Sequence, residues 1–525
     1  MTRALVIGYG LSGRAATSWL AGQGLEVVVL EDDRQAGRAA VAAVKERGVA
    51  GGGNITVEVA PGAVRAVELA RAAALVVPSP GVPVGHPALV AAQVSGAEVV
   101  SEVELAWRVL EARRRAQSGP GSSCRLVAIT GTNGKTTVTQ LVTAMLAASG
   151  LTAVAAGNVG YPLLDAVTAL PCPPGTGSDS GTGTGTVTAA APDVVLVAEV
   201  SSFQLEYTHR FSPDVSCWLN FAPDHLDWHP NLEHYVRAKA KIWAHQAPGS
   251  VAVVNADDPV VLSCAATVPA GVRVVTFGAT GATGATGAAG ANWATGAVGA
   301  PGVTGSTGTT WTGTTWTVGP EGVEGPGGMV VKAADLPRAF PHDLANTAAA
   351  LAVAMAAGAD EQGCRQAAHA TAAPPHRVQL VGEQGGVRWY DDSKATTPAA
   401  VQAGVSAFAS VVLIAGGRNK GLDLSDLAKT VPPVRAVVAI GEAAPDVAAA
   451  LGGLVPVRRA ASMDEAVHRA EELARPGDAV VLSPGCASFD WYSSYAQRGE
   501  HFGALVRARL TAGAKGAPVG KYAVE

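Results

Sequence analysis

The chain has 525 residues, a net charge of −5 at pH 7, 48% hydrophobic residues and only 15% charged residues. This length predicts three or four domains at roughly 150 residues each. The weak negative charge, with no basic stripe, argues against a nucleic-acid partner. No apolar run approaches the roughly 18 residues that span a bilayer. The N-terminus lacks signal-peptide features, and the six cysteines are widely spaced, so a reduced, cytoplasmic protein is expected.

Three segments repeat one pattern, in which an apolar strand leads through a glycine turn into an alanine-rich helix. Their strands begin at Ala4, Leu126 and Val411. This alternation predicts an α/β fold with parallel sheets covered by helices. The strand cores are continuous apolar runs, which suit strands buried on both faces. We predict three domains, at residues 1–118, 123–338 and 339–525.

Two glycine-rich segments, 171–191 and 278–328, interrupt the middle domain. In the second, glycine recurs at every third position from Gly278 to Gly308, except at Trp293. A collagen helix is excluded, because this stretch has a single proline and a tryptophan where glycine is obligatory. We predict that both segments are surface insertions, since their composition cannot bury much apolar surface.

The N-terminal turn contains Gly8, Gly10 and Gly13 in a G-x-G-x-x-G pattern between a strand and a helix. Glu31 follows at the end of the next strand, where a dinucleotide fold places its ribose-binding carboxylate. Three interpretations stay open: a dehydrogenase, a site for another nucleotide, and a turn without a ligand.

The clearest chemical motif is a phosphate loop between the second of these strands and its helix. It consists of Gly131, Thr132, Asn133, Gly134, Lys135, Thr136 and Thr137. Backbone N–H groups at a helix N-terminus attract phosphate, a lysine can reach the terminal phosphates, and a hydroxyl can hold Mg²⁺. The motif therefore predicts a site for a nucleoside triphosphate.

Carboxylates and histidines follow the phosphate loop. Glu199 ends an apolar strand, where it is well placed to reach the magnesium ion of a nucleotide. His225 and His229 are four residues apart, so a zinc pair is conceivable. A zinc protease is not expected, because Leu226 occupies the position of the glutamate in that motif. Lys239 lies on a helix-like run, where a lysine facing solvent is the default interpretation.

Four stretches together resemble the Mur ligases, ATP-dependent amide-forming enzymes of peptidoglycan precursor synthesis. They are GTNGKTT at 131–137, EVSSFQLE at 199–206, DHLD at 224–227 with Tyr235 and Lys239, and DDSKAT at 391–396. The DSKAT segment is similar to that of family members that add D-glutamate, whereas sister ligases carry a segment of the Asp-Tyr-Ala-His type there. Asp343 departs from the family pattern, which usually has asparagine near the adenine.

The resemblance implies a Rossmann-like N-terminal domain, a central P-loop ATPase-like sheet and a Rossmann-like C-terminal domain. It implies ATP and two Mg²⁺ ions as cofactors, with a carbamate on Lys239. The implied substrates are UDP-N-acetylmuramoyl-L-alanine and D-glutamate, joined by a monomeric enzyme through an acyl phosphate.

The resemblance also implies a role for particular side chains. The implied catalytic residues are Lys135, Glu199, His225 and Lys239, and the implied magnesium ligands are Thr136, Glu199, His225 and Lys239. ATP would be held by the phosphate loop with Asn346, Arg377, Asp392 and Lys394. The UDP substrate would contact Ser12, Glu31, Ser79 and Asn158. D-glutamate would be bound by Thr396, Lys420, Ser488 and Tyr495.

Three alternative functions remain at this point. A related ligase, such as a folylpolyglutamate synthetase or another Mur ligase, would share most of these motifs. A nicotinamide-dependent dehydrogenase would explain the N-terminal turn but not the phosphate loop. A nucleotide-binding scaffold without catalysis would use the repetitive segment for interactions.

Overall fold

The computed structural model describes residues 2–47, 54–116, 124–170, 194–279 and 314–516. These residues form three β-sheets flanked by helices. The predicted insertion at 171–191 lies outside the described residues, as does most of the second one, residues 280–313. No helix of the described ranges is long and apolar enough to cross a membrane.

The first sheet has five parallel strands in the order β3-β2-β1-β4-β5. The strands are β1 (Arg3–Ile7), β2 (Glu26–Glu31), β3 (Ile55–Val59), β4 (Leu75–Pro78) and β5 (Glu98–Val99). The helices are α1 (Leu11–Gly22), α2 (Arg34–Arg47), α3 (Gly62–Arg71), α4 (Pro87–Ser95) and α5 (Glu102–Ala116). This strand order is that of dinucleotide-binding folds, whose ligands lie where the order reverses, here between β1 and β4.

The middle sheet has nine strands in the order β14-β13-β12-β11-β10-β9-β6-β8-β7. They are β6 (Cys124–Thr130), β7 (Thr152–Gly157), β8 (Val194–Glu199), β9 (Val215–Trp218), β10 (Val251–Asn255), β11 (Arg273–Gly278), β12 (Thr314–Gly319), β13 (Gly322–Gly325) and β14 (Gly328–Lys332). The helices associated with it are α6 (Lys135–Ala148), α7 (Leu163–Thr168), α8 (Ser202–Glu206), α9 (Leu232–Ala240), α10 (Pro259–Cys264), α11 (Pro341–Ala356) and α12 (Glu361–Ala370). The strands from β7 to β12 are parallel, whereas β13 and β14 turn back antiparallel.

The second predicted insertion needs a correction at its C-terminal end. Residues 314–328, which the composition assigned to the insertion, contain β12 and β13 and continue the middle sheet. Trp316 and Val323 are buried. The physical reason is that Thr, Trp and Val alternate in this stretch, and such residues favour a pleated surface even among glycines.

The third sheet has six strands in the order β15-β16-β20-β17-β18-β19. They are β15 (Gln379–Gln384), β16 (Val387–Asp391), β17 (Val411–Gly416), β18 (Val434–Ile440), β19 (Val457–Ala460) and β20 (Ala479–Leu482). Only β15 is antiparallel to its neighbour. The helices are α13 (Pro398–Val405), α14 (Ala444–Leu451), α15 (Met463–Leu473) and α16 (Tyr495–Gly516).

The described chain divides into two compact units. The first comprises residues up to 221, 228–336 and 344–371, and the second comprises 222–227, 337–343 and 372 onward. One continuous hydrophobic core joins the first and middle sheets, with Val29 and Leu110 from one side and Val167 and Trp218 from the other. The α/β class with parallel sheets is confirmed, whereas the predicted domain boundaries stay a prediction.

Candidate active site

The phosphate loop follows β6 and opens α6, as its sequence pattern predicts. Gly134 precedes the helix with a φ of +83°, a left-handed conformation that glycine adopts without strain. A Cβ added there would stand 2.6 Å from Oδ1 of Asn346, so the loop and Asn346 are in close contact. Asn346, one of the residues expected to bind ATP, therefore lies against the phosphate loop.

Two lysines converge on one carbonyl oxygen of this loop. Nζ of Lys135 donates to the carbonyl of Gly131 at 2.8 Å and to that of Thr132 at 3.0 Å. Nζ of Lys239, from the buried face of α9, donates to the same Gly131 carbonyl at 2.8 Å. Lys239 is only 1% exposed and lies 4.8 Å from the centre of the Tyr235 ring. The default expectation of a solvent-facing Lys239 is therefore wrong.

Glu199 lies at the carboxyl end of β8, beside the loop, and is 2% exposed. Its Oε2 accepts a hydrogen bond from the hydroxyl of Thr136 at 2.8 Å, and its Oε1 accepts one from Nδ2 of Asn158 at 2.9 Å. Hydroxyl and carboxylate oxygens are the ligands that Mg²⁺ prefers. Thr136 and Glu199 therefore fit a magnesium ion at this point of the loop.

Asn220 stabilises the phosphate loop, and sequence reasoning missed it. Its Oδ1 accepts from the backbone N–H of Asn133 at 2.8 Å, and its Nδ2 donates to the carbonyl of the same residue at 3.1 Å. The hydroxyl of Tyr235 lies 3.2 Å from that of Thr132. Asn220 belongs to no recognisable motif, because its role depends on β9 lying next to β6 in the sheet.

His229 is buried in the first unit, between the side chains of Ser202 and His234. Its Nε2 lies 2.9 Å from the hydroxyl of Ser202, and its Nδ1 lies 2.9 Å from Nδ1 of His234. His225 belongs to the second unit. The part of the chain that the structure describes contains no group of three or more His, Cys, Asp or Glu residues able to hold a metal ion.

The N-terminal glycine turn gathers two of the residues expected to hold the UDP substrate. Oε2 of Glu31 accepts from the backbone N–H of Tyr9 at 2.8 Å, and the hydroxyl of Ser79 donates to the carbonyl of Gly8 at 3.0 Å. Gly13 packs against this turn so closely that a Cβ would collide with the Gly8 carbonyl. Ser12 is half-buried in the first turn of α1.

The second unit holds a further set of expected site residues, beginning with His225. Its φ is +55°, a left-handed conformation that a non-glycine residue seldom adopts. The backbone N–H of His225 donates to Oδ1 of Asp224 at 2.8 Å, and its Nε2 lies 3.4 Å from Oδ2. Strained backbone of this kind is concentrated at functional sites.

Asp392 and Arg377, both expected to bind ATP, lie close enough for their charges to interact. Asp392 is 6% exposed, and burial raises the pKa of its carboxyl to about 7, although the charge of Arg377 opposes this shift. The carboxyl accepts hydrogen bonds from the hydroxyl of Ser483 at 2.6 Å and from the N–H of Val378 at 3.2 Å. Arg377 is flanked by two residues in the left-handed region, His376 at +61° and Val378 at +45°.

The residues expected to bind D-glutamate follow the carboxyl ends of neighbouring parallel strands. Thr396 follows β16, Lys420 follows β17 and Ser488 follows β20. These strands are adjacent, since Leu482 pairs with both Asp391 and Ile414. Tyr495 begins α16, and its ring centre lies 5.1 Å from Nζ of Lys394.

Models of three protein domains match the chain. The Mur ligase MurD-like N-terminal domain matches residues 2–101, the Mur ligase middle domain matches 129–297, and the Mur ligase glutamate ligase domain matches 376–486. The three matches follow the order of the three sheets.

Curated relatives match over nearly the whole chain. A protein of Frankia casuarinae named UDP-N-acetylmuramoylalanine--D-glutamate ligase is 40% identical over 512 residues, covering 96% of this chain and 94% of the relative. A protein of the same name from Geobacillus kaustophilus is 35% identical over 509 residues, covering 95% and 96%.

Two solved structures share the fold. MurF from Acinetobacter baumannii superimposes with a TM-score of 0.55 at 17% identity, covering 95% of this chain and 92% of that one. A pseudomurein peptide ligase type C from Methanothermus fervidus gives 0.53 at 14% identity, covering 97% and 100%. With three domain models in order and relatives at 33–40% identity along its length, the chain belongs to the Mur ligase family.

Proposed function

We propose that the protein is an ATP-dependent ligase that joins D-glutamate to UDP-N-acetylmuramoyl-L-alanine in peptidoglycan precursor synthesis. The observation that carries the proposal is the phosphate loop with Lys135, in which the Thr136 hydroxyl is hydrogen-bonded to the buried Glu199 carboxylate at 2.8 Å. This arrangement suits a nucleotide with its magnesium ion. The names of the relatives, UDP-N-acetylmuramoylalanine--D-glutamate ligases, supply the acceptor and the amino acid.

The chemistry begins with the carboxylate of the UDP substrate. It attacks the γ-phosphorus of ATP, and the bond between that phosphorus and the oxygen bridging it to the β-phosphate breaks. The products of this step are ADP and an acyl phosphate. The amine of D-glutamate then attacks the acyl carbon and loses a proton, and phosphate departs as the amide forms. Two anions must approach each other in the first step, so positioning and charge neutralisation are the main tasks of the protein.

Particular side chains are assigned to these tasks. Lys135 would neutralise the terminal phosphates, and Thr136, Glu199 and His225 would hold Mg²⁺, which supplies charge stabilisation to the phosphoryl group. Ser12, Glu31, Ser79 and Asn158 would bind the UDP substrate, and Asn346, Arg377, Asp392 and Lys394 would complete the ATP site. Thr396, Lys420, Ser488 and Tyr495 would bind D-glutamate, whose two carboxylates need charged or polar partners once desolvated.

The two lysines at Gly131 support a carbamate on Lys239. Both ammonium groups donate to one oxygen, so two like charges lie within a few ångströms of each other, and Lys239 is almost fully buried. Like charges repel strongly in such surroundings. A carbamate would replace the ammonium of Lys239 with an anion, relieve this repulsion and present oxygens to a magnesium ion, the second ion of the proposed pair.

The central test is a phosphate-release assay with ATP, Mg²⁺, UDP-N-acetylmuramoyl-L-alanine and a panel of amino acids. We expect release that depends on D-glutamate and that Lys135→Ala abolishes. Dependence on another amino acid would favour a related ligase, NADH binding would favour a dehydrogenase, and no release would favour a scaffold. Turnover retained by Lys135→Ala would contradict the ATP site.

The carbamate has its own test in Lys239→Ala. We expect this variant to lose activity and to recover part of it when acetate or another short carboxylic acid is added, because the added anion replaces the missing carbamate. Lys241→Ala, two residues further along, is the matched control and should not depend on acetate. A folded Lys239→Ala protein that acetate does not rescue would contradict the carbamate.

We further propose that the enzyme acts as a monomer in the cytoplasm, where its nucleotide substrates are available. Light scattering during size-exclusion chromatography tests the first point, with an expected mass near the 52.6 kDa of one chain. A dimer at micromolar concentration would contradict it.

A further inference from the structure

A buried guanidinium lies beneath the loops at the carboxyl edge of the third sheet. Arg498, in the first turns of α16, is only 1% exposed. Its Nε donates to the hydroxyl of Ser393 at 2.9 Å, and its Nη2 donates to the carbonyl of Ser393 at 2.8 Å. Both Nη atoms also donate to the carbonyl of Cys486 at 3.2 Å. One side chain thus joins the loop after β16 to the loop after β20.

The same side chain also contacts the loop after β17. Nη1 of Arg498 lies 3.1 Å from the position that a Cβ would take on Gly417. The loops after β17 and β20 are joined beside it by paired backbone hydrogen bonds between Arg418 and Ala487, at 2.9 and 3.0 Å. Arg498 therefore contacts the loops that follow three adjacent strands.

The start of α16 is itself held in place, so Arg498 cannot easily move away. The hydroxyl of Ser393 donates to the carbonyl of Tyr495 at 2.7 Å. Gly499 is pressed against Asp391, whose Oδ2 would lie 2.5 Å from an added Cβ.

The charge of Arg498 has no counter-ion among its direct contacts. Its four hydrogen bonds all go to neutral oxygens, and the carboxylates of Asp490 and Asp391 favour its charged form, although neither forms an ion pair with it in the described part of the chain. Burial lowers its pKa to about 10, so the group stays charged at neutral pH. Burying a cation is costly and these two carboxylates offset only part of the cost, since the pKa is still lowered; a bound anion nearby would offset more of it.

The three loops carry the residues assigned above to D-glutamate: Thr396, Lys420 and Ser488. We propose that Arg498 is a positioning residue for the acidic amino acid, setting the spacing of these loops and adding positive charge beneath them. This inference rests on the proposed function, since it takes the same loops as the D-glutamate site.

The test is the conservative variant Arg498→Lys, which keeps the charge but lacks the planar fork that reaches several loops at once. We expect KM for D-glutamate to rise by about tenfold or more, because small misplacements of binding groups are costly. KM for ATP and for the UDP substrate should stay within about twofold, a split that general destabilisation would not produce. Arg507→Lys, on the exposed face of the same helix, is the matched control.

A second variant tests the same arrangement without touching the arginine. Ser393→Ala removes the acceptor of Nε and should raise KM for D-glutamate by a smaller factor in the same direction. An unchanged KM for D-glutamate in both folded variants, or equal changes in KM for all three substrates, would overturn this inference and leave the proposed function intact. A wild-type enzyme that does not use D-glutamate at all would overturn the proposed function and the inference with it.

Discussion

Thr136 and Glu199 make the most specific single contact of the candidate site. The hydroxyl and the carboxylate are 2.8 Å apart, and the second carboxylate oxygen is held by Asn158. In the proposed site this threonine would serve the magnesium ion of a bound nucleotide, so we expect its hydroxyl to matter more to catalysis than to folding.

Replacement of Thr136 by valine tests this role, because it removes the hydroxyl and keeps the size of the side chain. We expect Thr136→Val to lower kcat/KM by about 100-fold or more, because the proposed ligand of the magnesium ion is lost. Thr143→Val is the matched control on the same helix, since its hydroxyl donates to the carbonyl of Thr139 within that helix. Steady-state kinetics over a range of Mg²⁺ concentrations measures the effect. Near-normal activity for Thr136→Val at low Mg²⁺ would show that the hydroxyl does not serve the metal.

Asp343 shows how a departure from the family pattern is accommodated. Its carboxylate accepts two hydrogen bonds from Arg338, from Nε and from Nη2, both at 2.6 Å. Arg338 also binds the carbonyl of Val378, beside the expected ATP residue Arg377. The aspartate therefore anchors this arginine, a role that asparagine could fill only in part.

Short motifs could be predicted at the residue scale, whereas supporting contacts could not. The positions of Lys135 and Glu199 follow from local strand–turn–helix patterns. Asn220 and Arg498 act on loops that are distant in sequence and adjacent only in the sheet. A single sequence carries no signal for such pairs.

At the scale of elements, β12 to β14 show where composition misleads. Glycine and threonine are so frequent before Thr314 that the whole stretch to 328 resembles one insertion. The alternating Thr314–Val318 run and the turn at Pro320 were signals for a strand and a hairpin. The alternation of residues, taken separately from the composition, predicts both of them.

The start of β12 at Thr314 predicts how far the second insertion can be shortened. A parallel pair such as β11 and β12 needs a crossover connection of about a dozen residues. We expect replacement of residues 280–313 by a Gly/Ser linker of about 12 residues to leave turnover within a few fold, since every described strand stays intact.

Deletion of residues 279–327 is the contrasting variant. It removes β12 and β13, together with the buried Trp316 and Val323, so we expect a large loss of soluble protein and of melting temperature. Equal behaviour of the two variants, measured by soluble yield and thermal unfolding, would contradict the role of these strands.

For the whole molecule, the sequence predicts three sheets and their helices. It does not predict that the first and middle sheets share one hydrophobic core. The core of the first compact unit continues from the first sheet into the middle one, partly through α5. Glu102 on this helix is fully buried, and its Oε1 accepts from the N–H of Leu164 at 2.6 Å. Its Oε2 has no hydrogen-bond partner among the described residues.

This carboxyl makes stability depend on pH. Burial raises the pKa of Glu102 from 4.5 to about 7, so between these values the folded state binds more protons than the unfolded state. The free energy of unfolding should therefore fall as pH rises from about 5 to about 7, by about 1–3 kcal/mol from this group.

Glu102→Gln should flatten this dependence, because the amide does not ionise. Chemical denaturation at several pH values measures it, and Glu111→Gln on the same helix is the control, since Glu111 forms a partly exposed ion pair with Arg115. Identical pH slopes for wild type and Glu102→Gln would contradict the raised pKa.

The phosphate loop with Lys135 has a practical consequence for work at the bench. A helix N-terminus that begins with a lysine attracts any small multivalent anion, and sulfate, phosphate and pyrophosphate all resemble the end of a nucleotide. Preparations in such buffers would carry a competitor in the loop and give apparent ATP affinities that are too weak. Chloride buffers with an organic amine leave the loop to its nucleotide, and crystallisation from sulfate would supply an informative surrogate for it.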